Sequence, residues 1–194
     1  MITVRGVSSV VSVILMVAVV VVLASTVSVL ALGFTERFDE PAPNVAQTSG
    51  EFVPGGASDE QEVLLTHVAG DRVQVEDIEI IVRASGPEVD TEARLVNLPA
   101  DGKRVETENI RGNADLIDKS GGLFGNPPDR VIVDADPNVW AAGDTIRFRV
   151  SAGAADFRKN PKSGNPDADK LEVIVIYTTA DSGTILYQDT FRPE

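Results

Sequence analysis

From Val7 to Thr35 the chain carries no charged side chain: VSSVVSVILMVAVVVVLASTVSVLALGFT. About 20 apolar residues in a helix cross the hydrocarbon core of a bilayer, and this run is longer. At about 1.5 Å per residue it would extend roughly 40 Å. Valine is a mediocre helix former in water because its branched Cβ restricts χ1. In lipid no water competes for the backbone, so a helix that satisfies its own N–H and C=O groups wins over that propensity. The run is apolar on every face and must be covered all round, by lipid or by other helices. Small residues recur four apart, at Ser8 and Ser12 and again at Ala24 and Ser28, a spacing that lets helix backbones approach closely. Gly33 offers a stop.

Beyond the run the sequence changes character. Residues 36–60 hold Pro41, Pro43, Pro54 and the Gly55-Gly56 pair, with no apolar period, and read as an extended linker. Residues 61–194 read as β-structure. Alternating runs appear at Glu62–Val68, Val73–Ala84, Glu92–Leu98, Val131–Asp134, Ile146–Val150, Leu171–Thr179 and Thr184–Phe191. The second run slips register near Glu76–Asp77, the mark of a bulge or turn. Ile146, Phe148 and Val150 alternate with Arg147 and Arg149 as in a half-buried strand, whereas Leu171–Thr179 is apolar on both faces, as in a central one. Gly70-Asp71 and Gly143-Asp144 stand just before strands, where tight turns are needed. Lys103–Pro128 resembles a long surface loop with a short helical turn. Seven strands with turn signals predict an α+β chain: one long hydrophobic helix, then an antiparallel β-sandwich or small barrel.

Charge and cysteine usage narrow the function. All 30 acidic residues lie beyond Thr35, against 17 basic ones in the whole chain, and the net charge is −13. Such a chain repels nucleic acid, which needs Lys and Arg to neutralise phosphate. Its cations are mostly Arg. An acidic, Lys-poor surface suits a protein kept soluble at molar salt, where the Debye length is about 3 Å and self-repulsion is screened. With no cysteine there is no disulfide, thiolate nucleophile or Cys-ligated metal.

The start of the apolar run carries a further pattern. Val7, Ser8, Val10, Val13, Ile14, Leu15, Met16, Val17 and Ala18 agree with the run V-S-P-V-I-G-V-I-L-M-V-A. In this the chain resembles the N-terminal region of haloarchaeal type IV pilins. Ser9 replaces that family's Pro, Val11 its Ile and Ser12 its Gly, changes that make the first turn more regular. The strings His67–Asp71 and Ala142–Arg147, and Tyr177 ahead of a Ser182-Gly183 turn, are also similar.

The resemblance implies processing by a prepilin peptidase, a membrane aspartic protease. It would cut between Gly6 and Val7, so that residues 1–6 form the leader and 7–35 the mature helix. Arg5 supplies the leader's charge, and the positive-inside bias keeps that end cytoplasmic. The resemblance further implies other pilin subunits as polymer partners, an assembly ATPase and a platform membrane protein. Membrane lipid would hold the helix before assembly. Bacterial type IV pilins carry Glu at the fifth mature position, here Val11, so the charge pairing of their assembly is absent. Archaellins begin differently, which favours an adhesion pilus over a swimming filament.

No catalytic, cofactor or metal site is expected. His67 is the sole histidine, too few for a His-rich zinc site, and reads as a strand residue with a structural hydrogen bond. Asn165–Asp169 begins like a calcium loop, but Lys170 stands where the sixth-position Gly should be and Ile176 where the twelfth-position Glu should be. Asp134 and Asp136 read as solvated, as do Arg158, Lys159 and Lys162; Trp140 reads as core or rim. The sequence contains no N-x-S/T sequon. Two other readings remain: a monomeric binding module on an uncleaved single-pass anchor, and a secreted protein with an overlong signal peptide.

Overall fold

The computed structural model describes residues 5–35, 43–45, 47–55, 60–99, 105–119, 136, 138–179 and 182–192. The chain divides into two compact units, Met1–Pro41 and Ala42–Glu194. The first contains one helix, α1, Arg5–Thr35, which runs two residues past Gly33. No break occurs near Ser9 or Ser12, as expected where Ser replaces helix-breaking Pro and Gly.

The second unit is built from antiparallel sheets. A three-stranded sheet has the order β1 (Gln47–Val53), β2 (Glu60–Ala69), β8 (Thr145–Ser151). A five-stranded sheet has the order β10 (Gly183–Phe191), β9 (Lys170–Thr178), β4 (Ile78–Ser85), β5 (Asp90–Leu95), β6 (Ile110–Gly112). A two-stranded ribbon pairs β3 (Val73–Gln74) with β7 (Val139–Trp140). Val63 and Leu65 of β2 and Ile146, Phe148 and Val150 of β8 share one apolar core with Ile80 and Val82 of β4 and Val173 and Val175 of β9. That shared core makes the arrangement a two-layer sandwich. Each fully buried aliphatic side chain contributes on the order of 1.5–3 kcal/mol.

The structure explains why β4 and β9 read as apolar on both faces. Ile81 and Ile174 are register partners outside the shared core, yet only 5% and 6% exposed. Around them lies a lattice of paired charges. Arg83 bridges Glu92 at 2.6 Å and Glu172 at 3.5 Å, Arg94 bridges Glu79 at 3.2 Å, and Gln188 donates to Glu172 at 2.9 Å. Arg83 and Glu92 are half exposed, so that pair contributes a fraction of a kcal/mol, about 0.2–1. The Gln188 hydrogen bond and the Arg83 guanidinium hold the Glu172 carboxyl below the usual carboxylate range.

Several expectations need correction. The linker read over 36–60 is not linker throughout: Gln47–Val53 forms β1, an edge strand in register with β2, and the compact unit begins at Ala42. Its inward positions Thr48 and Gly50 lack bulk, so no apolar alternation announces it. The register slip near Glu76 is a turn of 3-10 helix, Val75–Asp77, which separates β3 from β4. Arg149 is not on a solvated face but only 8% exposed. The segment 105–119 does contain the expected short helical turn, 3-10 in form at Thr107–Asn109, but is not otherwise all loop, since β6 follows. The strand expected at Val131–Asp134, the leader residues Met1–Val4 and the segment 36–42 lie outside the described residues. Gly70 and Gly143 have φ of 134° and 102°, a region that favours glycine, which accounts for both turns.

Candidate functional site: the N-terminal helix

The feature that sequence analysis marks for function is α1, and its side chains are described over residues 10–28. Within its own unit nothing covers them. Val10 is 58% exposed, Met16 70% and Val27 63%, while the 19 residues Val10–Ser28 have a mean hydropathy of 3.0. In water such a surface would incur a large hydrophobic penalty, roughly 25 cal/mol for each Å² left wet. By length and composition the helix can cross a membrane.

Three of its hydroxyls are handled internally. The hydroxyls of Ser25, Thr26 and Ser28 donate to the carbonyls of Val22, Leu23 and Ala24, each at 2.8 Å. None of these three hydroxyls therefore needs an outside partner. In hydrocarbon an unpaired hydroxyl costs several kcal/mol, about 4–8 on a water-to-cyclohexane scale. Sequence reasoning noted Ser28 only for its size. Its bond to Ala24, the residue it was paired with by spacing, is a second role.

The helix does not gather the small residues on one side. At 3.6 residues per turn the Ser8/Ser12 pair and the Ala24/Ser28 pair point roughly 160° apart. Ser12, Ala24 and Ser28 are exposed. Arg5, Gly6 and Val7 form the first helical turn; their side chains, and that of Ser8, lie outside the described residues. The first N–H groups of any helix have no intrahelical acceptor, and Gly costs about 1 kcal/mol in a helix relative to Ala. The Gly6–Val7 bond therefore sits in a weakly held end turn of α1.

The β-domain residues singled out from sequence take structural positions. His67 is wholly buried on β2, with Nδ1 3.3 Å from the Trp140 carbonyl and its ring 5.0 Å from the indole. Trp140 is core, and its Nε1 donates to the Asp144 carbonyl. Asp136 is exposed, accepting the Asn138 amide at 3.0 Å, and Asp134 lies outside the described residues. Among the described residues no group of three or more His, Asp or Glu is placed to hold a metal.

One centre escaped sequence reasoning. The carboxylate of Asp156 has no exposed side-chain surface and is the hub of the loop before β9. It accepts from the Arg158 guanidinium, the Asn165 side chain, and the backbone amides of Arg158 and Lys162. Burial alone would push this carboxyl up, but the hydrogen bonds overcome it and hold the group well below the usual carboxylate range. Arg158, expected in a solvated basic cluster, is thus closed onto Asp156 with 13% of its side chain exposed. Lys159 and Lys162 are exposed as expected.

With this geometry in view, comparison with known families is decisive for one end of the chain. Residues 5–47 match the family model of the archaeal type IV pilin N-terminal region. Over this segment the chain is similar to the archaeal type IV pilins. The match starts at Arg5, where α1 starts, and ends at Gln47, where β1 starts. It covers the whole of α1. No curated protein matches the chain. Archaeal type IV pilins are structural subunits that assemble with other pilins, and this chain is a pilin-like subunit with a helix suited to membrane anchoring.

Proposed function

We propose that this pilin is a structural subunit of an adhesive surface pilus. The observation that carries the reading is α1: a pilin N-terminal segment whose side chains over Val10–Ser28 are all exposed within the chain and almost wholly apolar. A helix of this kind is stable only inside lipid or among its own kind.

The subunit first waits in the membrane as a single-pass anchor with the β-domain outside. Prepilin peptidase cuts between Gly6 and Val7, in the first turn, where few helical bonds must open. An assembly ATPase and a platform protein then move the subunit out of the bilayer. The helix trades lipid for neighbouring helices, and the hydroxyls of Ser25, Thr26 and Ser28 keep their internal partners throughout. Small residues on two opposed sides suit a helix that packs against more than one neighbour at a time. The acidic β-domains coat the filament and meet the surroundings, and their net negative charge suits a saline habitat.

Mass spectrometry of the subunit from sheared surface filaments tests this reading. A mature N-terminus at Val7 supports it. Retention of Met1 in cells with an active prepilin peptidase would overturn processing and leave an anchored binding module. Filaments that lack the chain would overturn its role as a filament subunit.

A further inference from the structure

The chain comes out of α1 and reaches the β-domain at an edge strand, the least secure element of a sheet. An edge strand pulled from its end peels, one hydrogen bond after another. The structure holds a device against this just before β1. The Asn44 amide donates to the Asp71 carboxylate, and the Asp71 amide donates to the Asn44 carbonyl, both at 3.0 Å. Asp71 belongs to the turn that follows β2, two residues beyond Ala69, the partner of Gln47. The reciprocal pair therefore continues the β1–β2 ladder past the register shift between Gln47 and Thr48. Val45, next to it, packs against the core.

Along β1 three further contacts hold the strand down. Gly50 has no side chain, and the space a Cβ would take lies under the ring and hydroxyl of Tyr187 from β10. Phe52 meets Phe157 edge to face at 5.1 Å and Phe191 at 6.0 Å. A bulge in β10 between Ile185 and Tyr187 directs both Leu186 and Tyr187 toward the core, which brings Tyr187 over Gly50.

We propose that the Asn44–Asp71 pair is a mechanical clamp through which α1 pulls on the β-domain. A load arriving along the chain from the helix meets Asn44 before it meets β1. The clamp passes part of it to the turn after β2 and so to a strand whose Val63 and Leu65 are wholly buried in the core. The edge strand is then loaded together with its neighbour rather than peeled alone. This rests on the reading that α1 is held, in a filament or in a membrane, while the domain is pulled from outside; either holding point is sufficient.

The test uses full-length protein in lipid nanodiscs, with Asp71→Ala and Asp71→Asn variants. In Asp71→Ala the Asn44 amide should exchange with solvent roughly tenfold faster, while amides of β4 and β9 keep their rates. Asp71→Asn retains a side-chain oxygen and should restore slow exchange. Pulling single bilayer-held molecules by a C-terminal handle should unfold the Asp71→Ala domain at lower force than wild type. Unchanged exchange at Asn44, or unchanged unfolding force with exchange accelerated, would overturn the clamp. Because the pull is made in a bilayer, the outcome does not depend on pilus assembly, which is scored separately from surface filaments of the same variants.

Discussion

The two units of this chain solve the same problem, keeping apolar surface from water, in opposite ways. The β-domain solves it alone. Its two sheets face each other, and every core position from Val63 to Val175 is covered by another part of the same unit. The helix does not solve it at all within the chain, since its described side chains from Val10 to Ser28 are exposed. Polar groups follow the same division. In the domain they reach across the fold, as Asp156 does to Arg158 and Asn165 and as Arg83 does to Glu92 and Glu172. In the helix they turn back on the preceding turn. Stability of the domain is therefore a property of the chain, and stability of the helix is a property of its surroundings.

The difference predicts which substitutions each unit notices. Asp156→Ala should have the largest effect, because it removes the carboxylate that a mostly buried guanidinium and three other donors share; the domain should lose about 3–5 kcal/mol in chemical denaturation. The same group gives the domain an acid limb. Its folded pKa is depressed, so its contribution is complete above about pH 4 and is lost as pH falls through the folded value. Wild type should thus lose stability on acidification below pH 4 more steeply than Asp156→Ala.

In the other unit, Val19→Asp places a carboxylate at mid-span and should raise the cost of insertion by about 2.5–3.5 kcal/mol. Membrane fractionation should show the loss, and the domain's melting temperature should not move. A shift in that temperature would break the separation drawn above. Gly86→Ala comes next. A Cβ there would lie 2.6 Å from the Ala168 Cα and 2.7 Å from the Asp167 carbonyl oxygen, backbone that has no rotamer to yield. A loss of about 1–3 kcal/mol is expected, again with membrane insertion intact.

The smallest effect has the opposite sign. Thr48 and His67 are register partners, and the buried Thr48 Oγ1 and His67 Nε2 each have no hydrogen-bond partner. Thr48→Val removes one such group at constant shape and should raise domain stability by about 1 kcal/mol. A drop in stability would show that the hydroxyl is satisfied in solution.

Much of this could be read from the chain, for reasons that differ between the units. The helix is legible because its environment is uniform, so composition alone specifies it, and the run from Val7 to Ala18 carries the resemblance to archaeal pilins. Strands β2, β8, β9 and β10 are legible because one or both faces are filled by their own apolar side chains. Strand β1 was hidden because its inner face is completed from elsewhere: Gly50 leaves room that Tyr187 fills from a residue far along the chain. The Asp156 hub was hidden for a similar reason. Acidic and basic residues close together look like a solvated loop, and only the fold removes the water. Arg149 misled because alternation with Phe148 and Val150 shows which side a residue takes, not what lies over it.

The hydroxyls of Ser25, Thr26 and Ser28 have one more consequence. A side chain that must find a new partner on leaving lipid makes assembly a one-way step, since return requires that partner to be given up. These three have nothing to give up. For these three hydroxyls lipid and a bundle of apolar helices are equivalent surroundings, and passage in either direction leaves their hydrogen bonds unchanged.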